Sequence, residues 1–152
     1  RLALANAPSA RSSHRLSAID GRAYLFGGEE QARHSIDSTV HCLDVDAGSW
    51  TKIEVSASPP PRVAHAQAAI NGKLIVFGGR SGVEMGEAEL DDVWEFDPAL
   101  CAWQPLDAAG GGSAPSPRSF HAATAVEDSF YVFGGCGEAG RLSDLHEFCT
   151  TT

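Results

Sequence analysis

The chain has 152 residues, with 20 acidic against 11 basic side chains and a formal net charge of −9. That balance sets aside nucleic acid and anionic membrane surfaces as partners, because no basic stripe is available to release phosphate counterions. No apolar run approaches the roughly 20 residues of a membrane-crossing helix, no signal peptide is visible, and Cys42, Cys101, Cys136 and Cys149 form no Cys-x-x-Cys pair, which points to a reducing, cytoplasmic setting.

In chain order, Leu2-Ala-Leu4 reads as a short opening strand. Arg11 and His14 then lead a run of small residues to Asp20-Gly21, a preferred pair for a two-residue hairpin turn in which both residues need positive φ. Tyr24, Leu25 and Phe26 form the returning strand, and Gly27-Gly28 ends it. A variable loop over 29–35 precedes a third strand over 40–45, and Trp50 opens a fourth over 51–55.

The same text then recurs. Arg62, His65, Asn71-Gly72, Ile75, Phe77 and Gly78-Gly79 are followed by a loop over 80–89, a strand over 93–97, and Trp103 leading a strand over 104–106. Pro105 predicts that this last strand lies on an outer edge, where a missing N–H does no harm. Residues 109–117 are rich in Gly, Ser and Pro and read as a flexible connector. A third copy begins at Arg118 and His121, turns at Glu127-Asp128, returns through Tyr131 and Phe133 to Gly134-Gly135, and passes a variable loop over 136–141 to a third strand over 145–148 before any Trp. Cys42 and Cys149 fall in third strands and are expected to be buried thiols.

Each arginine lies 16 residues before the first glycine of its pair and each histidine 13 before it, with periods of 51 and then 56 residues. A unit of about 50 residues with one glycine pair resembles the kelch repeat. The chain therefore reads as all-β: a kelch-type β-propeller of about three four-stranded antiparallel blades. The divisions are an outer strand over 1–10, blades over 11–57 and 58–108, the connector over 109–117, and an incomplete blade over 118–152. A propeller needs roughly four to eight blades. The chain thus reads as a fragment of a larger closed ring or half of a six-bladed dimer, with the remaining blades or a second copy covering its open faces. The wording around Pro117-Arg118-Ser-Phe-His121 and Tyr131-Val-Phe133 is similar to that of long plant and protist kelch proteins, including the nitrile-specifier group.

The resemblance implies a non-catalytic scaffold or adaptor that binds other proteins. Arg11, Arg62 and Arg118 are expected to bond carboxylates or carbonyls at blade junctions. His14, His65 and His121 are expected to serve as structural hydrogen-bonding groups rather than as metal ligands, since equivalent places in successive blades do not converge on one ion. Gly27, Gly28, Gly78, Gly79, Gly134, Gly135, Trp50 and Trp103 complete the repeat landmarks, each Trp wedging between blades. Loops on a rigid scaffold are the usual seat of recognition, so Arg33, His34, Arg80, Phe120 and Arg141 are the partner-binding candidates, with Ser13, Ala64 and Phe120 facing the channel mouth.

The alternatives are part of an iron-dependent, nitrile-specifier-like protein and a structural subunit of a large assembly. The resemblance places the iron ligands at Glu-x-x-x-Asp-x-x-x-His after a glycine pair. Here Glu29, Arg33 and Asp37 keep only the Glu; Glu87, Asp91 and Glu95 lie away from the pair; Glu138, Leu142 and His146 lack the middle ligand. No metal or cofactor is therefore expected.

Overall fold

The computed structural model describes residues 2–84, 87–107 and 114–150. They contain strands and no helix, so none is long and apolar enough to cross a membrane. The first blade is the sheet β1 (Arg15–Ile19), β2 (Arg22–Phe26), β5 (Val40–Asp44) and β6 (Ser49–Ile53), in that spatial order. A small ribbon, β3 (Glu29–Gln31) and β4 (His34–Ser35), stands on the loop between β2 and β5. The second blade repeats the order with β7 (Ala66–Ile70), β8 (Lys73–Phe77), β9 (Val93–Asp97) and β10 (Ala102–Leu106). The third has three strands: β11 (Ala122–Val126), β12 (Ser129–Gly137) and β13 (Gly140–Cys149).

The hairpin turns fold as their residues require. Asp20 and Gly21 have φ of 47° and 76°, and Asn71 and Gly72 have 51° and 76°. Glu127 adopts 53°, and the pairing of Val126 with Ser129 preserves the two-residue length. Pro105 lies on the edge strand β10.

Two apolar layers join the blades. Phe26, Tyr24 and Val40 of the first blade meet Leu74, Val76, Phe96 and Trp103 of the second. Ile75, Phe77 and Val93 of the second meet Phe130 and Val132 of the third. Trp103 is the predicted wedge, its ring 4.9 Å from Phe26 and 5.1 Å from Phe96. Trp50, its counterpart, lies on the side of the first blade turned away from the second and is only half-buried. At the other end, Phe133 and Leu145 remain 53% and 64% exposed, although their counterparts Phe77 and Val93 are buried.

Several expectations need correction. Residues 2–4 form no strand; instead Ala5 makes a single parallel bridge to Ser49 beside β6. Residues 136–141 are no open loop, because β12 and β13 continue through a turn between Gly137 and Gly140, with a register shift between Phe133 and Gly135. Cys149 is exposed, since it sits on the last strand of a sheet whose outer face is uncovered, whereas Cys42 is buried as expected. Residues 108–113 of the predicted connector lie outside the described residues.

Candidate functional site

The repeated arginines fix the loop end of each blade. Arg62 donates to the Gly78 carbonyl at 3.0 Å and to both Asp92 carboxylate oxygens at 2.7 and 2.8 Å. Arg118 repeats this with Gly134 at 3.1 Å and Asp144 at 2.7 and 2.8 Å. Such bidentate pairs combine charge with planar geometry. Arg11 reaches the Gly27 carbonyl at 3.1 Å, but Asp37 only at 3.6 Å. The cause lies in the approach to the third strand. Thr39 precedes Val40 where Asp92 precedes Val93 and Asp144 precedes Leu145, so the first blade's carboxylate sits further back.

Burial alone would raise the Asp92 carboxyl, yet the Arg62 guanidinium and the Trp94 indole N–H more than offset it and hold it below its ordinary value. Asp144 is held well below the usual carboxylate range by hydrogen bonds from Arg118 and His146.

The main chain of the same arginines ties blade to blade. The Gly28 N–H donates to the Arg62 carbonyl at 3.0 Å and the Gly79 N–H to that of Arg118 at 2.9 Å. The histidines add packing more than hydrogen bonding. His65 stands edge-on to Phe26, and His121 to Phe77. His121 Nε2 contacts the Phe77 carbonyl at 3.2 Å, while neither ring nitrogen of the buried His65 has a hydrogen-bond partner among the described residues. A ring hydrogen bond is thus present at His121, and none is present at His65 among the described residues. His14 is only half-buried, on the side away from the second blade.

Above this scaffold, two residues per repeat are set around the loop end. Ser13, Ala64 and Phe120 each occupy the left-handed region, with φ of 56°, 54° and 58°. They form a hydrogen-bonded chain across the blades: Ala64 N–H to the Ser13 carbonyl at 3.1 Å, and Phe120 N–H to the Ala64 carbonyl at 2.9 Å. The residue directly after each glycine pair docks alongside. Glu29 exchanges two backbone hydrogen bonds with Ser12, Arg80 with Val63, and Cys136 with Ser119. The variable side chains Glu29, Arg80 and Cys136 therefore occupy equivalent posts. That equivalence was missed from sequence, although the fixed offset after each Gly-Gly carries it.

Of the predicted contact residues, the structure brings four into this neighbourhood. Phe120 is 53% exposed, and the Arg80 guanidinium lies over its ring at 5.7 Å. Arg80 itself is buried, so it backs Phe120 rather than reaching into solvent. Arg141 and Phe120 line one cleft of about 550 Å³ with Gly135, Cys136 and Leu142. A second cleft of about 740 Å³ runs on from Leu142 past Glu89, Ser116 and Glu138. Arg33 pairs with Glu84 of the next blade at 3.9 Å, and its N–H donates to Glu29. Burial would raise the Glu29 carboxyl, but hydrogen bonds from Ser13, Arg33 and Ser12 and the charge of Arg80 bring it below its ordinary value. His34 stands apart on β4, its ring contacting the Ala32 carbonyl. Ala64 is buried and offers nothing to a partner at the mouth.

Among the described residues no group of three His, Cys, Asp or Glu side chains could hold a metal ion. The spacings noted in the sequence are used otherwise. Glu29 holds Ser13, Asp37 pairs with Arg11, and Glu95 accepts from Lys73 and Gln104.

The profile of the KLHDC2/KLHL20/DRC7 Kelch-repeats domain matches residues 13–152. The chain belongs to the kelch-repeat family. It is 33% identical over 145 residues to an N-(sulfonatooxy)prop-2-enimidothioate sulfolyase of Thlaspi arvense, covering 94% of this chain and 40% of that protein. It is 37% identical over 143 residues to Adagio protein 3 of Arabidopsis thaliana, covering 89% of this chain and 22% of that one. It is 32% identical over 146 residues to human host cell factor 1, covering 84% and 7%. The kelch chain thus spans well under half the length of these relatives.

Proposed function

We propose that this kelch chain is a non-catalytic protein-interaction module whose partner docks on the loop end, with Phe120 as the anchor. Arg141 lines the cleft beside it, Arg33 forms the rim, His34 lies further out on β4, and Arg80 supports the ring from below. The observation that carries this is the exposed Phe120, held in left-handed backbone against a buried arginine. A large aromatic at an exposed and conformationally costly position suits a binding anchor, because aromatics dominate interface energetics. An adaptor role fits the same face. The exposed flanks at Phe133 and Leu145, and at Leu16, fit coverage by further blades or by a second copy.

The test is quantitative affinity capture with the wild-type chain, Phe120→Gly and Arg141→Ala, using Lys52→Ala on the outer strand as control. Partners lost with the two loop-end variants and kept with the control are expected. An unchanged partner set with both loop-end variants would sink the proposal.

A second reading draws on the sulfolyase relative: membership in an iron-dependent, nitrile-specifier-like protein. Iron-stimulated turnover of that relative's substrate class by the chain would favour it, and its absence would leave the scaffold reading ahead.

A further inference from the structure

The sequence contains two Ser-Pro dipeptides, Ser58-Pro59 and Ser116-Pro117. The fold treats them differently. Ser58 is half-buried and Pro59 is buried, so the first dipeptide is closed to another protein's active site. Ser116 and Pro117 are both exposed, and residues 114–116 have no regular structure. A kinase must draw its target into an extended conformation, which only the second segment allows without breaking packed contacts.

The surroundings of Ser116 suit a phosphate. Arg118 Nη2 donates to Ser116 Oγ at 3.1 Å, and Arg118 Nε donates to the Ser116 carbonyl at 3.0 Å. The guanidinium is fully buried, and its other contacts are the Gly134 carbonyl and the Asp144 carboxylate. The Asp144 side chain is 44% exposed, so the arginine's present anionic partner is the solvent-accessible side of the pair. Ser9 has the same relation to Arg11, with Nη2 to Oγ at 3.2 Å, but Ala10 follows it. In the second blade the equivalent residue is Pro60, which has no hydroxyl. One repeat alone combines the arginine-held hydroxyl with the exposed Ser-Pro.

We propose that Ser116 is a phosphorylation site for a proline-directed kinase, and that Arg118 is the reader of its phosphate. In the transfer, Ser116 Oγ bonds the γ-phosphorus of a nucleoside triphosphate, and the bond from that phosphorus to the bridging oxygen breaks. The nucleoside diphosphate leaves with the electron pair, and the hydroxyl proton passes to the kinase's base. The product carries nearly two negative charges and three strong acceptors beside the guanidinium. It competes with Asp144 for Arg118. It also adds charge to the cleft already lined by Glu89 and Glu138, turning that cleft toward basic partner segments.

The experiment treats the full folded chain with a proline-directed serine kinase and ATP, and locates phosphate by mass spectrometry. Incorporation at Ser116 about tenfold or more ahead of Ser58 is expected in the folded chain. In short synthetic peptides containing each dipeptide both sites should react alike. The 31P resonance of the folded phosphorylated chain should then titrate clearly below the usual value near 6, and return to it in denaturant. No incorporation at Ser116, equal incorporation at Ser58 in the folded chain, or a phosphate that titrates identically folded and unfolded would each overturn the proposal.

Discussion

Phe26 of the first blade and His65 of the second meet edge to face, their ring centroids 5.5 Å apart, and Phe77 and His121 repeat the contact at 5.1 Å across the next seam. Each histidine is thus a wedge between blades, buried as a neutral ring. Burial drives His65 well below its ordinary pKa, with the Arg62 charge adding to the effect. Burial likewise brings His121 to about 4, against the opposing contact with the Phe77 carbonyl.

These shifts set a pH dependence. The unfolded histidines bind protons near pH 6.5 while the folded ones do not. Stability is therefore fully present above that value and falls as the pH drops from about 6.5 toward 4. The His121 shift alone corresponds to a loss on the order of 3 kcal/mol across that window. Chemical unfolding measured at intervals from pH 7.5 to 4 should show this fall. His121→Gln, which cannot take up the proton, should reduce the fall by the share of His121 and leave that of His65. A wild-type stability unchanged between pH 7 and 4.5 would contradict the buried neutral rings. Below about pH 4 a second loss is expected, as Asp92 and Asp144, whose folded pKa values are depressed, become protonated.

The arginine clamps give a graded prediction. Asp92→Ala leaves the fully buried Arg62 guanidinium without its counter-charge, which costs about 3–5 kcal/mol. Asp37→Ala removes the 3.6 Å contact with Arg11 and the acceptor of the Thr39 N–H, while Arg11 keeps Gly27 and Ser9, and should cost less, about 1–2 kcal/mol. Urea unfolding of the two variants checks the order. Equal losses would mean that the displaced Asp37 is as effective a partner as Asp92.

Most of this scaffold was legible in the sequence, because its landmarks are backbone demands written in residue type. Asp20-Gly21 and Asn71-Gly72 specify their turns, Pro105 specifies an edge, and the Arg–His–Gly-Gly spacing specifies the repeat. What was not legible depends on three-dimensional neighbours. The carboxylates Asp92 and Asp144 follow their arginines at different distances, so only the short approach to the third strand marks them. Residues 136–141 look like a loop until Gly137 and Gly140 are seen to close a hairpin in register. Arg80 reads as a rim charge, yet the backbone pairing with Val63 fixes it where its side chain is covered. Cys149 reads as a buried thiol from its place in a third strand, but it takes the post that Asp44 holds in the first blade, on a sheet face that is open.

The glycine pairs separate crowding from backbone strain. A Cβ on Gly27 would lie 2.6 Å from the Arg62 carbonyl oxygen and 2.7 Å from His65 Cε1, at a φ of 68°. Gly27→Ala must therefore push the seam apart and should cost about 3 kcal/mol or more. Gly21→Ala meets nothing within 4 Å and bears only the φ of 76°, a cost of about 1–2 kcal/mol. Thermal midpoints of the two variants, measured side by side, should differ in that order, and a harmless Gly27→Ala would show that the seam is looser than described.

Trp103 and Trp50 occupy equivalent places with unequal burial. Trp103→Ala empties the contact among Phe26, Phe96 and the indole, and should cost about 3–5 kcal/mol. Trp50→Ala acts at a half-buried site and should cost about 1 kcal/mol in the isolated chain. If further blades or a second copy cover that flank, the Trp50 cost should rise toward that of Trp103 in the covered assembly. Equal costs in both settings would argue that the flank stays open.

Phe120 allows binding to be separated from folding. Its φ of 58° costs an ordinary residue about 1–2 kcal/mol relative to glycine. Its contact with the Arg80 guanidinium returns about 0.5–1 kcal/mol at a partly exposed site. The two nearly cancel, so Phe120→Gly should leave unfolding stability within about 1 kcal/mol of wild type. The hydrogen bond from its N–H to the Ala64 carbonyl belongs to the backbone and survives the change. An anchor residue behaves differently in binding, where losing a central aromatic costs about 2 kcal/mol or more. Parallel denaturation and partner titration therefore give opposite expectations for one substitution: unchanged folding and an affinity at least about thirtyfold weaker. A variant that unfolds easily would assign Phe120 to the scaffold instead, and one that folds and binds normally would move the docking face elsewhere.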